Sequence, residues 1–181
     1  MILLLCVPLL ICWCSVCEWL LHRYLMHRSL LSFEYAYVAH TKVHHHIYKY
    51  DETYHAQNGD DGKKIPMAWW NGIVISILSA LPLLIFGYKI ALLGFVVSYC
   101  YYGVYEFIHW CMHLPRRRNV EYRWWFRKLN AHHLLHHRYM NKNFNVVLPL
   151  ADWMFGTLLL RSPVKFMQCN SDYCLPDVQP K

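Results

Sequence analysis

Apolar and polar stretches alternate along the chain in long blocks. Residues 1–21, MILLLCVPLLICWCSVCEWLL, are apolar for about the length of a spanning helix and hold one acid, Glu18, near the far end. Pro8 is compatible with a transmembrane helix, where neighbouring groups satisfy the freed carbonyl. A cleaved signal peptide is the competing reading of this run, but it lacks a basic start and an obvious small-residue cleavage site. Residues 22–66 are mostly polar and read as extramembrane, with NGDDGKK at 58–64 as a loop. Apolar positions return from Met67 to Ile108, broken clearly only by FGYK at 86–89, which predicts a hairpin of two spanning helices, 67–86 and 89–108. Residues 109–181 are extramembrane again, except that 144–160 is apolar. Pro149 and Asp152 inside that stretch favour an interfacial or re-entrant segment over a fourth span.

The expected fold class is therefore all-α and integral to a membrane: about three transmembrane helices plus an interfacial segment, in one domain over residues 1–181. Composition agrees, since 56% hydrophobic and 16% charged residues are too apolar for a comfortable soluble surface. The net charge of +7 would suit nucleic acid, but the basic residues interrupt apolar runs and form no stripe, so no nucleic-acid partner is expected. Of 18 Lys and Arg, only Lys89 lies in the hairpin turn, which leaves 17 (18 − 1) elsewhere. Arg23, Arg28, Arg116 to Arg118, Arg123, Arg127 and Lys128 all fall on the opposite side, which the positive-inside rule makes cytosolic. That places the chain in the endoplasmic reticulum of a eukaryote or the inner membrane of a bacterium. Of the eight cysteines, Cys6, Cys12, Cys14 and Cys17 sit in the first apolar run and Cys100 and Cys111 flank another, where thiols act as small apolar residues. Only Cys169 and Cys174 remain as a pair able to bridge.

All 13 histidines share the basic side, and all but His55 fall into four clusters: HRYLMH, HTKVHHH, HWCMH and HHLLHH. Helical spacings of three or four put His109 with His113, His40 with His44, and His133 with His136 and His137 on common faces. His22 and His27, five apart, point about 140° from one another on an ideal helix and need a local distortion to converge. Neutral imidazole is the commonest protein metal ligand, and a nitrogen-rich set suits zinc, copper, iron or nickel. So many imidazoles exceed the capacity of one ion and imply two. Glu18 precedes His22 by four residues, and Glu106 precedes His109 by three. Both are candidates to accept the outer N–H of a ligating imidazole, although an interfacial charge at a helix end is an equal reading of Glu18.

The boxes EWLLHRYLMH, AHTKVHHHIYKYDETYH, YEFIHWCMHLP and LNAHHLLHHRYMNKNFNVVLPLADWMFGT resemble, in order and approximate spacing, those of the fatty acid hydroxylase/sterol desaturase superfamily of integral membrane di-metal oxygenases. The resemblance runs from Glu18 to Thr157. It implies that His22, His27, His40, His44, His45, His109, His113, His133, His136 and His137 hold two iron ions, with zinc able to take the same imidazoles in purified protein. His46 and His132 become neighbours of ligands. The second box has three residues between its first histidine and the following pair, where many relatives have two. The resemblance further implies a site that uses O2 and two electrons to oxidise an unactivated C–H bond of a membrane lipid. Fatty acyl or sphingolipid chains are the leading substrates, with sterols, carotenoids or a desaturation as alternatives. Larger relatives carry a further spanning helix or a fused haem-binding domain. The expectation here is a separate electron donor of cytochrome b5 or ferredoxin type with its reductase. Trp69, Trp70, Trp124, Trp125 and Trp153 are expected as headgroup anchors. A non-catalytic metal protein or transporter is the reading from another class, but a transporter concentrates polar ligands near the bilayer midplane, whereas these lie at span ends.

Overall fold

A computed structural model describes residues 5–160 of the chain. The described residues are helical, with no strand among them. α1, Val7–Leu21, begins with Pro8 in its first turn, where a missing N–H costs nothing. The helix runs without a break into a π turn, His22–Met26, so the apolar rod spans Val7–Met26, 20 residues. α2, Trp70–Ala80, tightens at Pro82 into a 3-10 segment, Leu81–Phe86. The chain then reverses at Gly87, whose φ of 101° lies where side chains other than glycine are strained. α3, Tyr88–His113, is 26 residues long, followed by α4, Trp124–Arg138, and the short α5, Leu150–Met154.

The hairpin with its turn at 86–89 thus forms, but the expected boundaries shift. α3 continues five residues past Ile108 and carries His109 and His113 on its own last turns. Val7–Met26 and Tyr88–His113 are long and apolar enough to cross a membrane, whereas Trp70–Phe86 is shorter. Among the described residues, two helices of spanning length therefore stand where about three were expected.

Close approach holds the apolar rods together. A Cβ on Gly94 of α3 would lie 2.3 Å from Leu83 Cδ1, and one on Gly72 of α2 would lie 2.6 Å from the Tyr102 ring. Small residues at such contacts are how helices pack where lipid removes the hydrophobic drive. Polar groups add to this: Trp13 Nε1 donates to the Ser79 carbonyl at 2.9 Å, and Ser79 Oγ to Ser98 Oγ at 2.7 Å. Outward, Ile85, Phe86 and Leu92 are exposed, as are Trp69, Trp70, Trp124, Trp125 and Trp153.

Residues 144–160 hold only the short α5 and form no further long helix. The segment packs along α1: Ser15 Oγ donates to the Leu148 carbonyl at 2.7 Å, Asn145 Nδ2 to the Ser15 carbonyl at 2.8 Å, and Trp19 Nε1 to Thr157 Oγ1 at 2.8 Å. Ala151 and Asp152 are fully buried, while Trp153, Met154 and Phe155 face outward. Under the histidines, Tyr54, Ile108, Met112, Phe126, Leu134 and Val146 form a core that ties the end of α3 to α4. Cys12, Cys14, Cys17, Cys100 and Cys111 are free thiols; Cys169 and Cys174 lie outside the described residues.

Candidate metal centre

The five-residue spacing of His22 and His27 converges through a backbone irregularity. The His27 N–H reaches the His22 carbonyl at 3.1 Å, an i→i+5 bond that adds a residue to the turn. The two rings consequently stack with centroids 5.0 Å apart. The second box repeats the device over Val38–His44, where the His45 N–H bonds the His40 carbonyl. His40 and His45 then meet with Nε2 atoms 3.1 Å apart. The third residue between His40 and the following pair is the residue this π turn accommodates. Thr41 Oγ1 donates to the Met26 carbonyl at 2.6 Å and so fixes one π turn against the other.

With α3 and α4 these turns build two groups of imidazoles. His22, His27, His40, His45 and His136 form the first, and His44, His113, His133 and His137 the second; within each, one ring nitrogen per residue lies within 4.8 Å of all the others. Nine of the ten histidines expected as ligands are brought together in this way. The tenth, His109, borders the second group, its ring centroid 4.7 Å from that of His44 and 4.8 Å from that of His133, and its Nε2 is buried without a hydrogen-bond partner. The partition corrects the pairing expected from helical faces. His40 and His44 do stack, at 5.0 Å, but their nitrogens enter different groups. His136 likewise joins the first group while its α4 neighbours His133 and His137 join the second. α4 therefore serves both. His46 is exposed, and His55 packs its ring beside Tyr54 at 5.2 Å, outside either group.

Backbone carbonyls decide the tautomers. Nδ1 of His22 faces the Phe144 carbonyl, that of His113 the Tyr54 carbonyl at 2.7 Å, that of His136 the Lys142 carbonyl at 2.7 Å and that of His137 the Tyr48 carbonyl at 2.6 Å. A carbonyl only accepts, so on hydrogen-bonding grounds each Nδ1 carries the proton and each Nε2 turns a lone pair inward. His113 and His137 both bring Nε2 to within 3.1 Å of His133 Nε2, and one imidazole cannot donate enough protons to satisfy two such neighbours. A cation held by each group would satisfy all of them, and the all-nitrogen donor set suits iron or zinc.

Neither glutamate makes the expected bond to an imidazole. Glu18 Oε1 accepts from the Val146 N–H at 2.6 Å, and Oε2 from Tyr101 Oη at 2.7 Å and Asn145 Nδ2 at 3.1 Å. Glu106 accepts from the Met67 N–H at 3.2 Å. The carboxylate that supports the histidines is Asp152, which sequence reasoning took only as a sign of interfacial placement. Its Oδ1 accepts from the Phe144 N–H at 2.9 Å and Thr157 Oγ1 at 2.6 Å, and its Oδ2 from the Asn145 N–H at 2.8 Å and His132 Nε2 at 3.2 Å. Asn143, held at a φ of 56°, donates to the His132 carbonyl at 3.0 Å. The NFNV and DWMFGT stretches therefore form one clamp. It presents the Phe144 carbonyl to His22, and this joint occurrence behind the last histidine box was the available signal.

The sequence model of the fatty acid hydroxylase family matches residues 7–157, a span that includes every histidine of both groups and the clamp. The chain belongs to the fatty acid hydroxylase family. No curated protein and no solved structure matches it. Membership points to an oxidoreductase, and together with two apolar helices of spanning length it supports association with a membrane.

In this fatty acid hydroxylase family member the first group is approached from two sides. A narrow cavity of about 60 Å³ between the apolar helices, lined by Cys14, Cys17, Glu18, Tyr101 and Tyr105, ends on His22. A wider one of about 460 Å³ opens onto His27 from the polar side. Burial first, and neighbouring imidazoles next, hold His40, His44, His45, His133 and His137 well below the usual histidine range. Burial also pushes His136 down to about 4, against the opposing pull of the Lys142 carbonyl. The unfolded chain therefore takes up protons near pH 6.5 that the folded one refuses. Stability is complete above that pH and is lost as the pH falls toward the folded values, about 4 for His136. Titrating the metal-stripped protein from pH 8 to pH 4 should lower its melting temperature progressively below about 6.5; a flat profile would mean that the imidazoles are not buried as described.

Proposed function

We propose that the chain is a membrane-bound, O2-dependent di-iron lipid hydroxylase acting on a fatty acyl or sphingolipid chain. The reading rests on one observation: two groups of imidazoles with lone pairs aimed inward, at the ends of apolar helices, in a chain of this family. Overall, a C–H bond, O2, two electrons and two protons become C–OH and water, with the electrons drawn from a separate cytochrome b5 or ferredoxin type donor and its reductase. The iron pair supplies the O2 and C–H chemistry when bound. His22, His27, His40, His45 and His136 would hold one ion and His44, His113, His133 and His137 the other, with His109 beside the second.

The remaining work falls to the chain. Tyr48, Tyr54, Lys142 and Phe144 fix the imidazole tautomers through their carbonyls. The apolar cavity ending on His22 excludes water and admits a hydrocarbon segment from the bilayer side, and the exposed tryptophans set the depth of the site at the headgroup level. The histidine face is taken as cytosolic from the charge bias of the chain.

Lipid mass spectrometry on cells with and without the expressed chain, with a donor confirmed present, tests this reading. The expected result is a gain of one oxygen on acyl chains that disappears in a His136→Ala, His137→Ala double variant and persists in His55→Ala. Loss of two hydrogens would replace hydroxylation with desaturation, and an unchanged lipid profile would favour a non-catalytic metal protein.

A further inference from the structure

The wider cavity is lined by Arg23, Arg28 and Arg138, with His27 and Phe144 at its inner side and Asn141 at its rim, and by no acidic residue. The three guanidinium groups are steadied on aromatic faces. Arg23 lies 4.8 Å from the Trp19 ring, Arg28 5.5 Å from Tyr24 and Arg138 4.7 Å from Tyr50. None of the three forms an ion pair among the described residues, although other cations do: Arg118 with Glu121, Lys63 with Asp60 and Lys64 with Asp61. Three unneutralised cations around a concavity of about 460 Å³ exceed what a solvated face needs. Arg138 Nε donates to Tyr139 Oη at 3.1 Å, and stacking leaves the terminal NH2 groups of the forks to donate to a ligand.

We propose that this mouth binds the phosphate of an anionic amphiphile. A phosphomonoester carries about −1.5 to −2 charges and three acceptor oxygens, which matches three guanidinium groups better than a single carboxylate does. Phe144 and Met140 offer apolar contact beside the charges, as a headgroup with its first carbons requires. An acidic protein surface is the less suitable occupant, because the cations line a cavity and not a flat face. The depth matters: the phosphate would sit next to His27, a member of the first imidazole group. That this ligand is the head of the oxidised substrate rests on the hydroxylase reading; that the mouth binds it does not.

The test is equilibrium binding to the full chain in phosphatidylcholine nanodiscs, with empty discs as the blank. The probes are dihexanoyl phosphatidate, dihexanoylglycerol and inorganic phosphate. Phosphatidate is expected to bind at least tenfold more tightly than the neutral glyceride, and Arg28→Gln with Arg138→Gln to weaken it at least tenfold. Both arginines are exposed, so an unchanged melting temperature will show that the double variant folds. Arg138→Lys, which keeps the charge and loses the fork, should fall between. Inorganic phosphate binding as tightly as phosphatidate would make the ligand a free anion and overturn the amphiphile. Phosphatidate binding that is absent, or unchanged in the double variant, would overturn the site. None of these readouts uses turnover, so the hydroxylase reading stands or falls separately.

Discussion

His137→Ala should lower the metal content of the iron-loaded protein from two ions per chain to one and abolish turnover. The second group has four members, and His137 is one of two whose Nε2 lies 3.1 Å from that of His133. If roughly 10–16 kcal/mol of metal binding is shared by four ligands, each carries on the order of 3 kcal/mol, or more than about a hundredfold in affinity. Three imidazoles remain, with His109 at the border. The first group has five members, so His136→Ala leaves four and should cost less occupancy at its own ion. Metal analysis of the two single variants and the double separates these expectations. Equal loss of both ions in either single variant would mean that the histidines form one pool and not two groups.

Asp152→Ala should damage the first group without removing any of its members. The substitution deprives four buried donors of their acceptor: two backbone N–H groups, the Thr157 hydroxyl and His132 Nε2. Removing one partner from a buried charged network costs about 3–5 kcal/mol, a large share of what holds a domain folded. The 143–146 backbone then loses its anchor, and with it the Phe144 carbonyl that orients His22. A lowered melting temperature with reduced metal is expected, and Asp152→Asn, which keeps shape and one acceptor oxygen, should be milder. A variant that melts normally and keeps both ions would remove the clamp from the account of the site. Acid will not mimic this lesion above about pH 4. Burial would raise the Asp152 carboxyl, but the donors from His132, Thr157 and Asn145 outweigh it and hold the group below the ordinary carboxylate range. Its contribution is present above the ordinary value and is lost as pH falls through the lower folded value. Acid sensitivity between pH 6.5 and 4 therefore belongs to the histidines.

That the imidazoles would gather into groups able to hold metal was readable from residue type and spacing, because imidazoles at helical intervals have few other uses in such number. The apolar blocks likewise announced the hairpin, whose turn falls at Gly87 as FGYK indicated. What could not be read was the sorting of side chains between groups. His136 and His137 are adjacent on one helix and go to different centres, a division set by the loops that approach α4 from far along the chain. The supporting groups were hidden for a similar reason. The acceptors for the imidazole N–H groups are main-chain carbonyls of Tyr48, Tyr54, Lys142 and Phe144, and any residue type supplies a carbonyl. Glu18 looked like a partner for His22 on helical spacing, yet Val146, 128 positions away, claims its carboxylate. The first arm of the hairpin shows a smaller limit: apolar pattern counted 67–86 as a full span, while the helix begins only at Trp70 and leaves a shorter rod.

The two π turns make chain length between ligands a functional quantity. On an α-helix one residue is about 100° of rotation, so winding either π turn as a regular helix with its length unchanged would swing one imidazole out of its group, whereas removing one exposed position such as Lys42 together with the π turn would leave His40 and His45 four positions apart and on one face. Side chains in these turns are free to vary within packing limits, and a change of one residue in length is absorbed only where the winding changes with it.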